Sequence, residues 1–316
     1  MLKYKYLLLG LVITLSIVAY SCFSYYSQKF SYSDEYYKVE KFCYEKKDVN
    51  SSYCSSFKNN GKIDEKSLSS YIKNSNPKAI RKNMDVITVS SEIVELTFFK
   101  NLQMFSPLII MIAVIGTLQT EFISGNFKNY LLREDYKKYL RQCYKIAPMA
   151  SLLMPIALIS VFIFSCFLTN FNFDISNVDT NLAVYDEWKY NHFILYGISI
   201  CIIQFLISLL YSHIAINCIY KNKNKIVSIV MSFLTFVLVY IFIYVVLYVF
   251  IINKFLGFNE LTEYFNIIGY WFFDGTTNLL IVLLLAFAFQ FISLIYIYFK
   301  YSDKERLVLS YEKQIS

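Results

Sequence analysis

The chain has 316 residues and a formal net charge of +7; 57% of its residues are hydrophobic and only 17% charged, with a mean hydropathy of +0.44. Ordinary soluble domains sit nearer half apolar and a quarter charged, so a pair of such domains is excluded. Tyr and Phe number 29 each against 8 Gly and 4 Pro, which excludes collagen-like, disordered and low-complexity chains, and 7 cysteines are too sparse for a small disulfide scaffold.

Six nearly uncharged apolar stretches, at 6–23, 104–120, 146–169, 193–220, 226–252 and 278–299, are each long enough to cross a bilayer as a helix. Their backbone polar groups must be satisfied within the segment, which helices achieve. The fold class expected is therefore an all-α polytopic membrane protein with six transmembrane helices.

The first stretch follows Lys3 and Lys5 and ends near Cys22, an arrangement that imitates a lipoprotein signal peptide. Tyr20 fits poorly where such a peptide needs a small residue, so 1–23 is read as a retained first span.

A polar insert, 24–103, comes next and is rich in Lys, Ser, Tyr and Asn. Helices are expected over 33–47 and 64–74, with Ser33 and Asp64 placed to cap them. The stretch 85–97 suits either a strand or a helix leading into the second span. Cys43 and Cys54 are either a disulfide or two free thiols; oxidised, they would close a short loop worth about 3 kcal/mol. Asn50-Ser51-Ser52 matches a glycosylation sequon, relevant only in a eukaryotic secretory host. Heavy use of Lys, Asn, Ile, Tyr and Phe points instead to an AT-rich, bacterial genome.

The second stretch is short and carries Ser106–Pro107 at its start. After it, Leu132, Tyr136, Tyr139, Leu140 and Cys143 recur at three- and four-residue spacing, with Lys137, Arg141 and Lys145 on another face. This pattern predicts an amphipathic basic helix along the membrane surface. Anionic lipid alone would suffice to hold it.

Polar residues also line the later spans at helical spacing: Gln204, Ser208 and Ser212 on the fourth, Tyr240, Tyr244 and Tyr248 on the fifth, and Gln290, Ser293 and Tyr296 on the sixth. They would line a substrate path or bond helix to helix.

Loop charge sets the orientation. With the N-terminus inside, the inner loops and termini hold fifteen Lys and Arg, while the short outer loops hold only Lys189 and Lys254. Both termini are thus expected in the cytoplasm, with the long insert outside. The positive charge expresses this bias, so nucleic acid is not an expected partner.

Catalytic motifs are missing from the sequence. There is no Gly-x4-Gly-Lys phosphate loop, no His-Glu-x-x-His, no Gly-x-Ser-x-Gly and no metal-ligand spacing among the cysteines. His213, with Asn217 one turn on, reads as a hydrogen-bonded interior residue.

Glu121, Gly125 and the run from Lys128 to Leu132, followed by a basic–aromatic segment and a long span, resemble the first intracellular loop of ABC-2 type ABC transporter permeases. The match departs at Arg133-Glu134-Asp135, where the family has a Pro-x-Ser-like turn. Six spans, cytoplasmic termini and the apolar, interrupted stretch 255–273 between spans five and six are also similar to that family, which carries an outer hydrophobic hairpin there.

The resemblance implies a coupling loop, 121–145, that docks on a separate P-loop ATPase subunit; ATP and Mg would be bound there and not by this chain. Glu121 and Gly125 would shape the turn, and Lys128, Arg133, Lys137, Lys138 and Arg141 would face the ATPase. It also implies a second permease copy or a paralogue as partner. The expected function is an exporter subunit in the plasma membrane, moving an amphipathic peptide, antibiotic or lipid-like substrate outward, with self-protection against an antimicrobial peptide preferred. The alternative is a membrane sensor or scaffold with a ligand-binding ectodomain. An intramembrane enzyme ranks last.

Overall fold

A computed structural model describes residues 4–31, 33–47, 51–59, 62–123, 136–174, 191–219, 221–222, 224–255 and 279–301. Among them, six helices are long and apolar enough to cross a membrane. The chain is an all-α multi-pass membrane protein, and it divides into two compact units.

The first unit holds the start of α1 (Lys5–Phe30) and five further long elements. These are α6 (Thr97–Ile123), α7 (Tyr136–Ser151) running into the first half of α8 (Leu153–Leu168), α9 (Phe193–Ile219), α10 (Lys225–Ile241) and α11 (Leu279–Tyr301). Wider π-type turns carry α10 on through Phe242–Phe255. Helix α9 is the hub, packing against α6, α7, α10 and α11. Ile110, Met111, Ala113, Val114 and Ile115 of α6 are fully buried, whereas α10 turns Ile226, Val230, Leu234 and Leu238 outward. Small residues allow the closest approaches: a Cβ on Gly116 would fall 2.4 Å from Cγ of Tyr6, and one on Gly10 would fall 3.2 Å from Leu153 Cδ1.

The third span is two helices in series. Pro155 lacks an N–H for the Ser151 carbonyl, so the helix breaks at Leu152 and Pro155 falls in the first turn of α8, where prolines are tolerated. The segment expected as a surface helix is continuous with this span: α7 runs unbroken from Tyr136 to Ser151, and the candidate span begins at Tyr144. Pro107, expected near a span start, lies inside α6, which begins at Thr97.

The second unit comprises Ala19–Leu96 and Val161–Asn181. Here α1 continues past the apolar stretch to Phe30, where Tyr25 Oη donates to Glu92 Oε2 at 2.6 Å and Lys29 Nζ lies 3.0 Å from the same carboxylate oxygen. Helix α2 (Ser33–Val39) passes into a π turn, Glu40–Glu45. A 3₁₀ turn (Ser52–Phe57) and a hairpin of β1 (Lys58–Asn59) and β2 (Lys62–Ile63) follow. The hairpin is antiparallel, with Lys58 opposite Ile63.

Three short helices complete the unit, each started by a side-chain cap that satisfies otherwise orphaned amides. Asp64 accepts from Lys66 N for α3 (Glu65–Ser75), Asn76 from Lys78 N for α4 (Pro77–Asn83), and Asp85 from Thr88 N for α5 (Val86–Glu95). The segment after Asp85 is thus helix, not strand.

Val39, Cys43, Cys54 and Leu68 form one buried cluster of the unit, with Phe42, Phe57, Ile63, Tyr71 and Ile72 packed on it. Cys43 and Cys54 are joined as a disulfide, their Cα atoms 5.6 Å apart. At the end of α8, Asn170 and Phe171 take positive φ values of 53° and 60°, turning the chain so that Asn172 meets α5. Its carbonyl accepts from Val86 N at 2.9 Å and its Nδ2 donates to Met84 O at 2.9 Å.

Candidate functional site

The last two turns of α6 lead directly into the 121–135 stretch singled out by its motif, so the groups that hold those turns matter most. Gln119 is fully buried and its Nε2 donates to the carbonyl of Asn222 at 2.8 Å. Thr120 donates back to Gly116 O at 2.7 Å and accepts from Lys225 Nζ at 2.9 Å. Both ties reach the short connection between α9 and α10.

That connection alternates Lys and Asn, and the asparagines build it. Asn222 Nδ2 donates to Cys218 O at 3.1 Å, closing the end of α9. Asn224 Oδ1 accepts from Ile226 N at 2.9 Å, capping α10. With both helix ends satisfied internally, Lys225 is left to reach α6. Sequence reasoning counted this loop only as positive charge. The signal for more was the alternation itself, since asparagine is a preferred cap residue.

Lys225 also lies 5.4 Å from the centroid of the Tyr6 ring, and Lys5 lies 5.0 Å from the same ring. Tyr6 in turn rests against Gly116. One end of the unit, formed by α1, α6 and α10, is thus basic and laced by hydrogen bonds.

Of the expected coupling residues, Glu121 belongs to the last turn of α6, and Lys137, Lys138 and Arg141 to the first turns of α7. Gly125, Lys128 and Arg133 lie outside the described residues, as do residues 256–273 of the expected hairpin.

A second polar group joins α9 to α11 and α7. Ser212 Oγ lies 3.1 Å from Ser151 Oγ and donates to Ser208 O at 3.1 Å. His213 Nδ1 lies 3.0 Å from Ser293 Oγ and 3.4 Å from Gln290 Nε2. A turn further on, Lys300 Nζ donates to Asn217 Oδ1 and to the hydroxyl of Tyr296, the latter at 3.1 Å.

The candidate path residues are therefore divided. Gln204, Ser208 and Gln290 are buried, the first two on α9 and the third beside His213. Tyr240 and Tyr244 stack on one another, ring centroids 5.8 Å apart and ring planes nearly parallel, on α10 and its π continuation. Tyr248 is helical, and its side chain lies outside the described residues. The sequence had missed the His213–Ser293 pairing, although both positions were visible as polar residues in apolar spans.

In the second unit, burial and a hydrogen bond to Glu40 push the Tyr36 hydroxyl up to about 12, and Glu65 raises Lys47 through a 2.9 Å hydrogen bond. Among the described residues no group of three or more His, Cys, Asp or Glu could hold a metal.

Comparison with known families, characterised proteins and solved structures found no family model, no characterised protein and no solved structure that matches this chain.

Proposed function

We propose that this chain is the membrane permease subunit of an ATP-driven exporter of the ABC-2 type, with ATP hydrolysed by a separate subunit that docks on the 121–145 loop. The observation that carries this reading is how the loop is held. On one side, Gln119 and Thr120 tie the end of α6 to Asn222 and Lys225. On the other, Tyr136–Ser151 is one helix from the loop into the third span. A push on a loop so anchored passes to α9 and α10 through the first pair of bonds and to α7 as a rigid body.

The loop-charge asymmetry supports a cytoplasmic basic end and an insert outside. The buried polar groups of α9 and α11 favour an amphipathic peptide, antibiotic or lipid-like substrate, moved outward. Two permease copies, or this chain and a paralogue, would enclose the path. The disulfide-closed insert with its own aromatic core favours a second reading, a membrane sensor whose ectodomain binds a ligand.

The test is co-purification in mild detergent with mass spectrometry of the bound proteins. A Walker-A ATPase recovered with the wild type, and lost with Glu121→Ala and Gly125→Leu, supports the exporter. No ATPase in several detergents removes it and leaves the sensor.

A further inference from the structure

Lys225 is held by neutral partners at the basic end of the spanning unit. The residue is half-buried, and its ammonium meets a hydroxyl (Thr120) and an aromatic face (Tyr6). Both partners are neutral. Among the described residues, neither Lys225 nor Lys5 has a carboxylate within ion-pair distance. The Lys225–Thr120 contact is open to the surface, where a charge is met by counter-charges or by water. The apolar run of α10 starts at the next residue, and Ile226 is 70% exposed.

The two ammonium groups converge on one tyrosine at the edge of a lipid-facing surface. Leu8 and Leu9, one turn on from Lys5, are exposed, as are Ile226 and Val230 after Lys225. Tyrosine is a residue of the membrane–water boundary, and basic pockets between spanning helices suit anionic head groups.

We infer that Lys5, Tyr6, Thr120 and Lys225 form a binding site for the head group of an anionic phospholipid, whose acyl chains lie along the exposed leucines of α1 and the apolar stripe of α10. The phosphate supplies the charge that Lys225 lacks, and the Thr120 hydroxyl orients the ammonium toward it. A protein carboxylate could neutralise the lysines, but it would leave the apolar surface beside them uncovered; a phospholipid does both. Because Thr120 precedes Glu121, a lipid seated here braces the loop end of α6. The site does not rest on the exporter reading, since an ATPase partner is neither required nor excluded by it.

The test is native mass spectrometry of the full-length protein with equal phosphatidylglycerol and phosphatidylcholine. Phosphatidylglycerol adducts are expected to dominate, with the preference falling about fivefold for each of Lys5→Gln and Lys225→Gln and surviving Lys225→Arg. An unchanged preference in the double variant overturns the site. So does displacement of the lipid by an equal concentration of soluble glycerol phosphate, which would make the occupant a free phosphate. The wild type offers a second readout, independent of how the variants fold. A photoactivatable phosphatidylglycerol should label peptides containing residues 4–9 and 225–230, and labelling confined to other segments contradicts the assignment.

Discussion

In the unit built on the insert, a disulfide sits within a buried apolar cluster, and three short helices each begin on an Asp or Asn cap. The spanning unit has no disulfide among its described residues; Gly10 and Gly116 admit neighbouring side chains to the helix backbone, and buried serines bond between helices. The difference follows from solvent. A small segment in water buries a smaller share of its surface than a large domain does, so a cross-link and capped helix ends add to its stability. In lipid the hydrophobic effect does not hold helices together, so close approach and interhelical hydrogen bonds must.

That contrast can be broken most strongly at the cross-link. Replacing Cys43 and Cys54 with Ser should cost the insert about 3 kcal/mol, seen as new protease cleavage within 33–75 while the spans stay protected. Next comes Gly116→Ala. Its added carbon would overlap the Tyr6 ring, and such overpacking costs about 1–3 kcal/mol, read as a lower melting temperature in detergent. With Tyr6→Ala in the same chain, the combined cost should be less than the sum of the two.

Asp85→Ala removes a buried cap and should cost about 1 kcal/mol, with faster hydrogen exchange at the Thr88 amide. The smallest effect is alkaline. Tyr36 has a folded value raised to about 12 from an ordinary 10, so its contribution is complete below pH 10 and lost as pH rises through 12. Tyr36→Phe should flatten that part of the pH–stability curve.

The sequence was most legible where one force dominates. Uncharged apolar runs marked all six spans, because hydrocarbon tolerates little else. Helix ends were harder, since α1 continues to Phe30 through Ser, Tyr, Gln and Lys, residues whose helicity depends on partners such as Glu92. The break at Leu152 was visible in Pro155 but was subsumed in a single apolar stretch. The run Val-Ile-Thr-Val after Asp85 left strand and helix open, and the Asp85 cap together with Asn172 pairing decides for helix.

At the candidate site, the motif residues of the loop were legible, but the ties that anchor it were not. Gln119, Asn222 and Lys225 lie in different segments and acquire a common role only through packing. Summing the Lys-Asn loop as charge hid its two caps.

The central claim is that the loop after α6 is where an ATPase acts on this protein. It is tested most directly by placing a photo-crosslinking amino acid at position 128 and irradiating living cells. The account predicts an adduct with a protein carrying a Walker-A motif, lost when Glu121 is changed to Ala. Adducts with lipid alone, at a wild-type level of expression, would contradict it.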